Sequence, residues 1–156
     1  MSRERAEAIL ANAELVHPAE VVSVAVDRLA VEITTALAAE FPVVLAIEVT
    51  RSRNGTAGRD IEWRLAPRED VAGRTVLVID DILDEGITLA AVRDKLLAQG
   101  VRRVLTAVLA DKALGRAKPI AADFVGVSVP DRYVFGFGMD AYGLWRNLPA
   151  IYALGN

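Results

Sequence analysis

Two adjacent carboxylates, Asp80 and Asp81, directly follow the apolar run over residues 76–79. Two ionised acids side by side repel each other, so each needs a partner such as ligand hydroxyls, a metal ion or a basic side chain. Sugar hydroxyl groups are hydrogen-bond donors that suit carboxylate acceptors. The acid pair therefore predicts a site that binds a diol, a cation, or both.

A short turn after the acid pair carries groups that suit a phosphate. Asp84 and Glu85 lead into Gly86 and Thr88, where a helical pattern begins. Glycine lets the backbone approach an anion closely, and threonine can cap the helix while its hydroxyl binds the phosphate. Together with the acid pair, this turn indicates a sugar phosphate as the ligand. The structural alternative is that the acids only begin a loop and cap a helix.

The elements that must position these groups are those of a parallel α/β sheet. The apolar runs 75–79, 104–109 and 123–129 predict strands that are covered on both faces. A helix over 88–99 joins the first two strands and stops at Gly100. Its predicted buried residues are Leu89, Val92, Leu96 and Leu97. In such sheets ligands bind beyond the carboxyl ends of the strands, where the acid pair lies.

The N-terminal part is predicted to contribute two helices and one further strand. A short helix covers 3–13, and a longer one has Pro18 in its first turn and runs to about Glu40. Residues 43–47 predict a short buried strand. The predicted buried face of the longer helix consists of Val22, Val26, Leu29, Ile33 and Leu37.

Composition excludes several classes of protein. The 156 residues predict one domain over 1–156, and 53% apolar with 25% charged residues is typical of a globular protein. A net charge of −3 argues against a protein that holds nucleic acid by bulk charge. The lack of cysteine excludes disulfides and thiolate metal sites. Because no apolar stretch is long enough to span a membrane and no secretory signal is visible, we expect a cytoplasmic protein without membrane or nucleic-acid partners.

Three motifs, in this order along the chain, resemble the type I phosphoribosyltransferases. Residues 78–89 are similar to that family's phosphoribosyl-pyrophosphate motif, an apolar strand with two acids followed by an acidic turn, glycine and threonine. Residues 109–112 and the segments 129–140 and 146–149 resemble the hypoxanthine-guanine branch. The resemblance implies a type I phosphoribosyltransferase-like α/β core. Its mostly parallel twisted sheet is flanked by helices, and its N-terminal half is shortened.

The resemblance also implies a reaction in purine salvage. The 5-phosphoribosyl group would pass from phosphoribosyl pyrophosphate to N9 of hypoxanthine or guanine, giving IMP or GMP and pyrophosphate. The implied cofactor is Mg²⁺, and the implied assembly is a homodimer or homotetramer.

Each residue of the acidic turn receives a role from this resemblance. Asp80 and Asp81 would hold the ribose hydroxyls, directly or through Mg²⁺. Asp84 would face purine N7 and act as the acid and base that manages its proton. The 5′-phosphate would bind the backbone, and the threonine hydroxyl, of the four residues Glu85, Gly86, Ile87 and Thr88.

The later motifs would bind the base and the leaving group. Lys112 would donate to the 6-oxo group, Tyr133 would stack on the purine, and the Val134 backbone would read its Watson–Crick edge. Asp140, on the purine side, would bind a second Mg²⁺. Arg146 would bind the pyrophosphate.

The family pattern is interrupted after Ile47. In the family, the first core strand is followed by a pyrophosphate loop, a crossover helix and a second parallel strand before the hood over the site. Here the strand over 43–47 leads directly to a basic loop over 51–59 and a predicted strand over 61–65. Because a parallel connection needs about a dozen residues, these segments cannot be consecutive parallel strands. One long strand, a neighbour from a partner chain, or an apparent internal deletion would explain the pattern.

Two other functions compete with the enzyme. The missing pyrophosphate loop favours a non-catalytic or weakly active purine nucleotide binder or regulator on the same fold. Arg51 and Ser52, where the family usually has Ser-Tyr, support the same reading, because a lid aromatic is lost. A phospho-acceptor domain of the response-regulator type also uses paired acids with Mg²⁺. It is disfavoured, because the candidate acids are bunched in one loop.

Overall fold

The computed structural model describes residues 3–46 and 70–155. The predicted basic loop over 51–59, the predicted strand over 61–65 and the interruption after Ile47 lie outside the described residues. The helices and strands follow one another as α1 (Arg3–Ala11), β1 (Glu14–His17), α2 (Ala19–Ala36), β2 (Val43–Ala46), β3 (Thr75–Leu83), α3 (Ile87–Ala98), β4 (Arg103–Ala113), β5 (Phe124–Pro130), β6 (Val134–Phe135) and β7 (Ile151–Ala153).

Four strands form a parallel sheet in the order β2-β3-β4-β5. Helix α3 connects β3 to β4, so the predicted strand–helix–strand unit is confirmed. Among the described residues, β2 pairs only with β3 and stands at one edge of the sheet. The carboxyl ends of all four strands therefore meet at one side of the molecule.

Both faces of this sheet are covered, which explains the apolar runs. On one face Val76 and Val78 pack in a cluster with Leu89, Val92 and Leu96 of α3. On the other face, Leu77 of β3 packs beneath the end of α2. It belongs to a cluster with Leu37, Leu105 and Ala107. Successive strand residues point to opposite faces, so a strand buried on both sides is hydrophobic throughout.

Strand β3 is longer than predicted. It was expected to end at Ile79 but runs to Leu83, and both Asp80 and Asp81 lie inside it. The ladder continues because Asp80 remains in register with Val108 of β4. The two acids therefore lie among the last paired residues of β3, and the sheet holds them more rigidly than a loop would.

The helices differ from prediction in detail. In α2 the residues Val22, Ala25 and Leu29 are buried, whereas Val26 is exposed. Helix α2 packs closely on β5 at Gly126, where an added Cβ would lie 3.1 Å from Leu29 Cδ1. In α3, Leu97 is exposed rather than buried. None of the helices in the described ranges has the length and apolar character to cross a membrane.

A second, smaller sheet has the antiparallel order β1-β7-β6 and was not predicted. It packs against α2 and the ends of β4 and β5 in one cluster that includes Val22, Val129 and Ile151. His17, which has no partner evident in the sequence, lies in β1 with its Nε2 2.7 Å from Ser128 O. This sheet anchors the segment 136–148, which reaches back to the acid pair.

Candidate active site

The turn between β3 and α3 is built around Gly86. This residue precedes the helix with a φ of +81°, a left-handed conformation that favours glycine, and no side chain caps the helix. The first helical hydrogen bond is donated by Ala90 N–H to Gly86 O at 3.0 Å, so the amides of residues 87–89 have no acceptor within the helix. Thr88 lies in the first turn and is not the cap, contrary to prediction. The free amides and the helix dipole create a site for an anion.

A cavity of about 940 Å³ opens at the carboxyl end of β3. It brings together two distant parts of the chain, the acidic turn and the C-terminal segment. The predicted site residues that line it are Asp80, Asp81, Asp84, Glu85, Gly86, Thr88, Asp140 and Arg146. Ala46, Ile82 and Phe137 also line it, and the sequence reasoning did not identify them.

Asp80 is the most perturbed acid described in this cavity. Burial raises its pKa to about 7, and repulsion from the neighbouring Asp81 carboxylate adds to the effect. The Asp81 N–H donates to Asp80 Oδ1 at 2.9 Å, which partly offsets it. A carboxylate in this state gains from any cation or hydroxyl donor that enters the cavity.

The pair is suited to Mg²⁺ held jointly with a substrate. Among the described residues, no three or more acids, histidines or cysteines form a cluster that could enclose a metal ion. Mg²⁺ is usually bound by one or two carboxylates together with water and substrate phosphates. Asp80 and Asp81 supply that kind of donor set.

Asp84 forms an ion pair with Lys112, whose Nζ lies 3.0 Å from Asp84 Oδ2. The Lys112 side chain is only 11% exposed. It lines a second cavity of about 530 Å³, and Leu83 lines both cavities. An acceptor and a cationic donor therefore stand side by side where the two cavities adjoin.

Asp140 and Arg146 are bonded to each other in this structure. Arg146 Nη2 pairs with Asp140 Oδ1, and the Gly143 N–H donates to Asp140 Oδ2 at 2.6 Å. Arg146 Nη1 also donates to Gly138 O at 2.7 Å. Both carboxylate oxygens thus already accept a hydrogen bond, and the positive charge of Arg146 opposes binding of a metal ion at Asp140.

Three predicted site residues do not line either cavity. Tyr133 is about half exposed and stacks on Tyr142, with ring centroids 6.0 Å apart and planes at 10°. Val134 is buried in β6, where it pairs with Ala153. Ile87 has an exposed side chain, and it can contribute to an anion site only its backbone amide, as the first residue of α3.

The C-terminal segment contains three residues with strained backbone. Phe137, Tyr142 and Trp145 have φ angles of 49°, 55° and 70°, which are uncommon for bulky side chains. Phe137 and Tyr142 lie in tight turns that are bridged by Gly136 with Met139 and by Ala141 with Leu144. Both of these aromatic residues are followed by glycine, and this aromatic–glycine pattern was the signal that could have revealed them. Phe137 lines the cavity, and Tyr142 stacks on Tyr133.

Comparison with known proteins identifies this arrangement. The model of the phosphoribosyl transferase domain family matches residues 6–142. The chain belongs to the phosphoribosyltransferase family.

Relatives come from the hypoxanthine-guanine branch. The chain is 42% identical over 83 residues to the hypoxanthine-guanine phosphoribosyltransferase of Aquifex aeolicus, covering 53% of this chain and 47% of the relative. It is 36% identical over 93 residues to the hypoxanthine phosphoribosyltransferase of Escherichia coli, covering 60% and 52%. The chain thus spans about half the length of the relatives that it matches.

Solved structures confirm the fold. A hypoxanthine phosphoribosyltransferase from Staphylococcus aureus matches with a TM-score of 0.80 at 23% identity, over 90% of each chain. A hypoxanthine-guanine phosphoribosyltransferase from Bacillus anthracis matches with a TM-score of 0.81 at 23% identity, over 90% of this chain and 98% of the other. The predicted α/β class and the resemblance to type I phosphoribosyltransferases are confirmed.

Proposed function

We propose that this protein transfers the 5-phosphoribosyl group from phosphoribosyl pyrophosphate to hypoxanthine or guanine, with Mg²⁺ as cofactor. The observation that carries the proposal is the ion pair of Asp84 and Lys112, placed directly beyond the acid pair. In a 6-oxopurine, the 6-oxo group and N7 are neighbours on one edge. Lys112 would donate to the oxygen, and Asp84 would accept the proton of N7. Adenine, with a donor at this position, would be rejected.

The phosphoribosyl group would occupy the larger cavity. The unpaired amides of residues 87–89 and the Thr88 hydroxyl support binding of its 5′-phosphate. Asp80 and Asp81 would accept hydrogen bonds from the ribose hydroxyls. Asp84 would then lie between the ribose and the base, which suits a group that moves a proton as the glycosidic bond forms.

The leaving pyrophosphate would be neutralised by positive charge. Arg146 lines the same cavity, and its pairing with Asp140 keeps it near the acid pair until a stronger anion arrives. Asp80, Asp81 and Asp140 would hold Mg²⁺, which supplies further positive charge to the pyrophosphate when bound. Tyr133 and Val134 would contact the purine only if it extends beyond the two cavities toward β6.

A purine nucleotide binder without turnover is the alternative. One observation favours it: β2 is an edge strand among the described residues. The family's pyrophosphate loop and second strand would follow β2. Their loss would weaken pyrophosphate binding more than nucleotide binding.

A coupled assay with phosphoribosyl pyrophosphate, Mg²⁺ and hypoxanthine, guanine or xanthine distinguishes the two functions. Formation of IMP or GMP supports the enzyme and gives its base preference. Binding of GMP by calorimetry without any product at high protein concentration would support the binder. Absence of both would contradict the proposed function.

We further propose a homodimer or homotetramer, as the resemblance implies, in the cytoplasm, as expected from the sequence. Sedimentation equilibrium would give the oligomeric state, and cell fractionation would give the compartment. A monomer at micromolar concentration would contradict the implied assembly.

A further inference from the structure

Lys118 is a largely buried cation next to the candidate site, and the proposed reaction gives it no role. It lies between β4 and β5, and its side chain is 11% exposed. Its Nζ donates to Leu83 O at 2.7 Å and forms an ion pair with Asp111 at 2.5 Å. Removing a charge from water is costly, so a lysine in this position depends on these partners.

The two partners of Lys118 occupy equivalent positions on neighbouring strands. Leu83 and Asp111 are register partners at the carboxyl ends of β3 and β4. Asp84 directly follows Leu83, and Lys112 directly follows Asp111. One ammonium group therefore links the Leu83 carbonyl to the Asp111 side chain, and these two residues directly precede the ion pair of Asp84 and Lys112.

The stem of Lys118 has a separate contact with the phosphate-binding turn. A Cβ added at Gly86 would lie 3.4 Å from Lys118 Cβ and 3.3 Å from Ile120 Cγ2. The stem therefore supports the turn by packing, whereas the ammonium group acts on the strand ends. A substitution that keeps the stem and removes the charge separates the two contributions.

We propose that Lys118 is a positioning residue that holds Asp84 and Lys112 at the separation required by the base. This inference rests on the proposed function, because it assumes that the pair recognises a 6-oxopurine. Their observed separation of 3.0 Å matches neighbouring acceptor and donor groups on one edge of a purine. Since small displacements of binding groups cost much affinity, loosening either strand end should weaken recognition of the base. The phosphoribosyl contacts should be unaffected.

Calorimetry with two ligands tests this role. GMP carries the base and the phosphoribosyl group, whereas ribose 5-phosphate lacks the base. Lys118→Met keeps an unbranched stem and should weaken GMP binding about ten-fold, with ribose 5-phosphate binding changed by less than about two-fold. Lys118→Gln retains a donor for Leu83 O and should give an intermediate loss of GMP affinity. It also serves if the methionine variant fails to fold.

Arg93→Met provides a matched control, because Arg93 lies on α3 and pairs only with its neighbour Asp94 among the described ion pairs. It should bind both ligands like the wild type. Unchanged GMP binding in both Lys118 variants would overturn the positioning role, and equal losses for both ligands would indicate a general structural brace instead. If the wild type binds ribose 5-phosphate but not GMP, the proposed function fails and this inference fails with it.

Discussion

Asp80 and Asp84 share a cavity, but their charges are compensated differently. Lys112 lies 3.0 Å from Asp84, whereas Asp80 is buried beside the like charge of Asp81, and its pKa rises to about 7. At neutral pH, Asp80 is therefore divided between its two protonation states. Binding of Mg²⁺ and ribose, which favour the ionised form, should strengthen as the pH rises through this range.

Asp80→Asn is expected to stabilise the folded protein at alkaline pH. The pKa of this carboxyl rises from 3.8 to about 7 on folding, so between these values the folded state holds more protons than the unfolded state. Stability therefore falls as the pH rises through this window. The substitution should increase the free energy of unfolding by on the order of 1 kcal/mol at about pH 8 and not at about pH 3. Urea denaturation measures the free energy of unfolding at the two pH values. An equal increase at both would contradict the raised pKa of Asp80.

Asp84→Asn tests the acid and base role. An amide cannot take the N7 proton, so kcat should fall about 10²- to 10⁴-fold while the KM for phosphoribosyl pyrophosphate changes little. Steady-state kinetics with the coupled assay measures both. Asp94→Asn, on the exposed side of α3, is the control and should keep the wild-type kcat. Full kcat in the Asp84 variant would remove it from the mechanism.

The turn before α3 depends on one glycine. Gly86 has a φ of +81°, and a Cβ there would press on residues 118–120 at 3.3–3.4 Å. Gly86→Ala should therefore lower stability by about 1 kcal/mol or more and also weaken phosphate binding, because the amides of the first turn would shift.

Gly100→Ala is its matched control, since Gly100 has nearly the same φ of +82° but ends α3 far from the anion site. It should cost similar stability without changing affinity for ribose 5-phosphate. Thermal denaturation and calorimetry of the two variants give the comparison. If Gly86→Ala and Gly100→Ala bound ribose 5-phosphate equally well, the geometry of the turn at Gly86 would not contribute to phosphate binding.

The connection from α2 to β2 is held by Glu40 at the end of the sheet opposite the site. It accepts hydrogen bonds from Thr75 Oγ1, from Arg102 at 3.1 Å and from Arg103 at 3.0 Å. The hydrogen bond from Thr75 and then the two arginines keep the pKa of Glu40 below its usual value. The ionised Glu40 carboxylate therefore contributes to the free energy of unfolding above its unfolded-state pKa. This contribution is lost as the pH falls through the lower folded-state pKa.

Glu40→Gln should accordingly lower the Tm at neutral pH and have little effect near pH 3, where the wild-type carboxyl is also being protonated. Scanning calorimetry at both pH values measures this. Glu32→Gln, which removes an exposed ion pair within α2, should change the Tm little at either pH. A loss of Tm that does not depend on pH would contradict the charge-based role of Glu40.

At the scale of the whole molecule, the small antiparallel sheet joins the two ends of the chain. Fully buried Ile151 of β7 packs in the cluster that also contains Val22 of α2 and Val129 of β5. Ile151→Ala should lower the free energy of unfolding by about 2–4 kcal/mol and should shift one cooperative transition, because the cluster links both sheets. Leu15→Ala, at an exposed position of β1, should lower the free energy of unfolding much less. Two separate transitions would contradict the expectation of one domain.

Local features were predictable because they depend on neighbours in the chain. The strand, acid pair, glycine turn and helix over 75–98 form one continuous unit, and hydrophobic periodicity with one left-handed glycine specifies it. The differences between prediction and structure in this unit were also local. Strand β3 is longer than its apolar run because pairing with β4 continues past Ile79. The N-cap of α3 is Gly86 and not Thr88.

Contacts between distant segments were not predictable in the same way. Lys118 contacts Leu83, and Glu40 contacts Arg103, through side chains whose meeting depends on how whole strands are placed in the sheet. No periodicity encodes such pairs, since polar groups at strand ends and in loops look alike along the chain.

The amino-acid sequence by itself determined the acidic turn at residues 80–88, the parallel strands around it and the family. These follow from residue types at short spacing, where backbone geometry leaves few alternatives. The family resemblance already placed Asp140, Arg146 and Lys112 around one ligand with the acidic turn. Only the tertiary structure decided that Arg146 pairs with Asp140, that Lys112 pairs with Asp84, and that Lys118 links Leu83 to Asp111. The physical reason is that burial and charge pairing depend on which groups the sheet order brings together in space, and that order is a property of the folded chain as a whole.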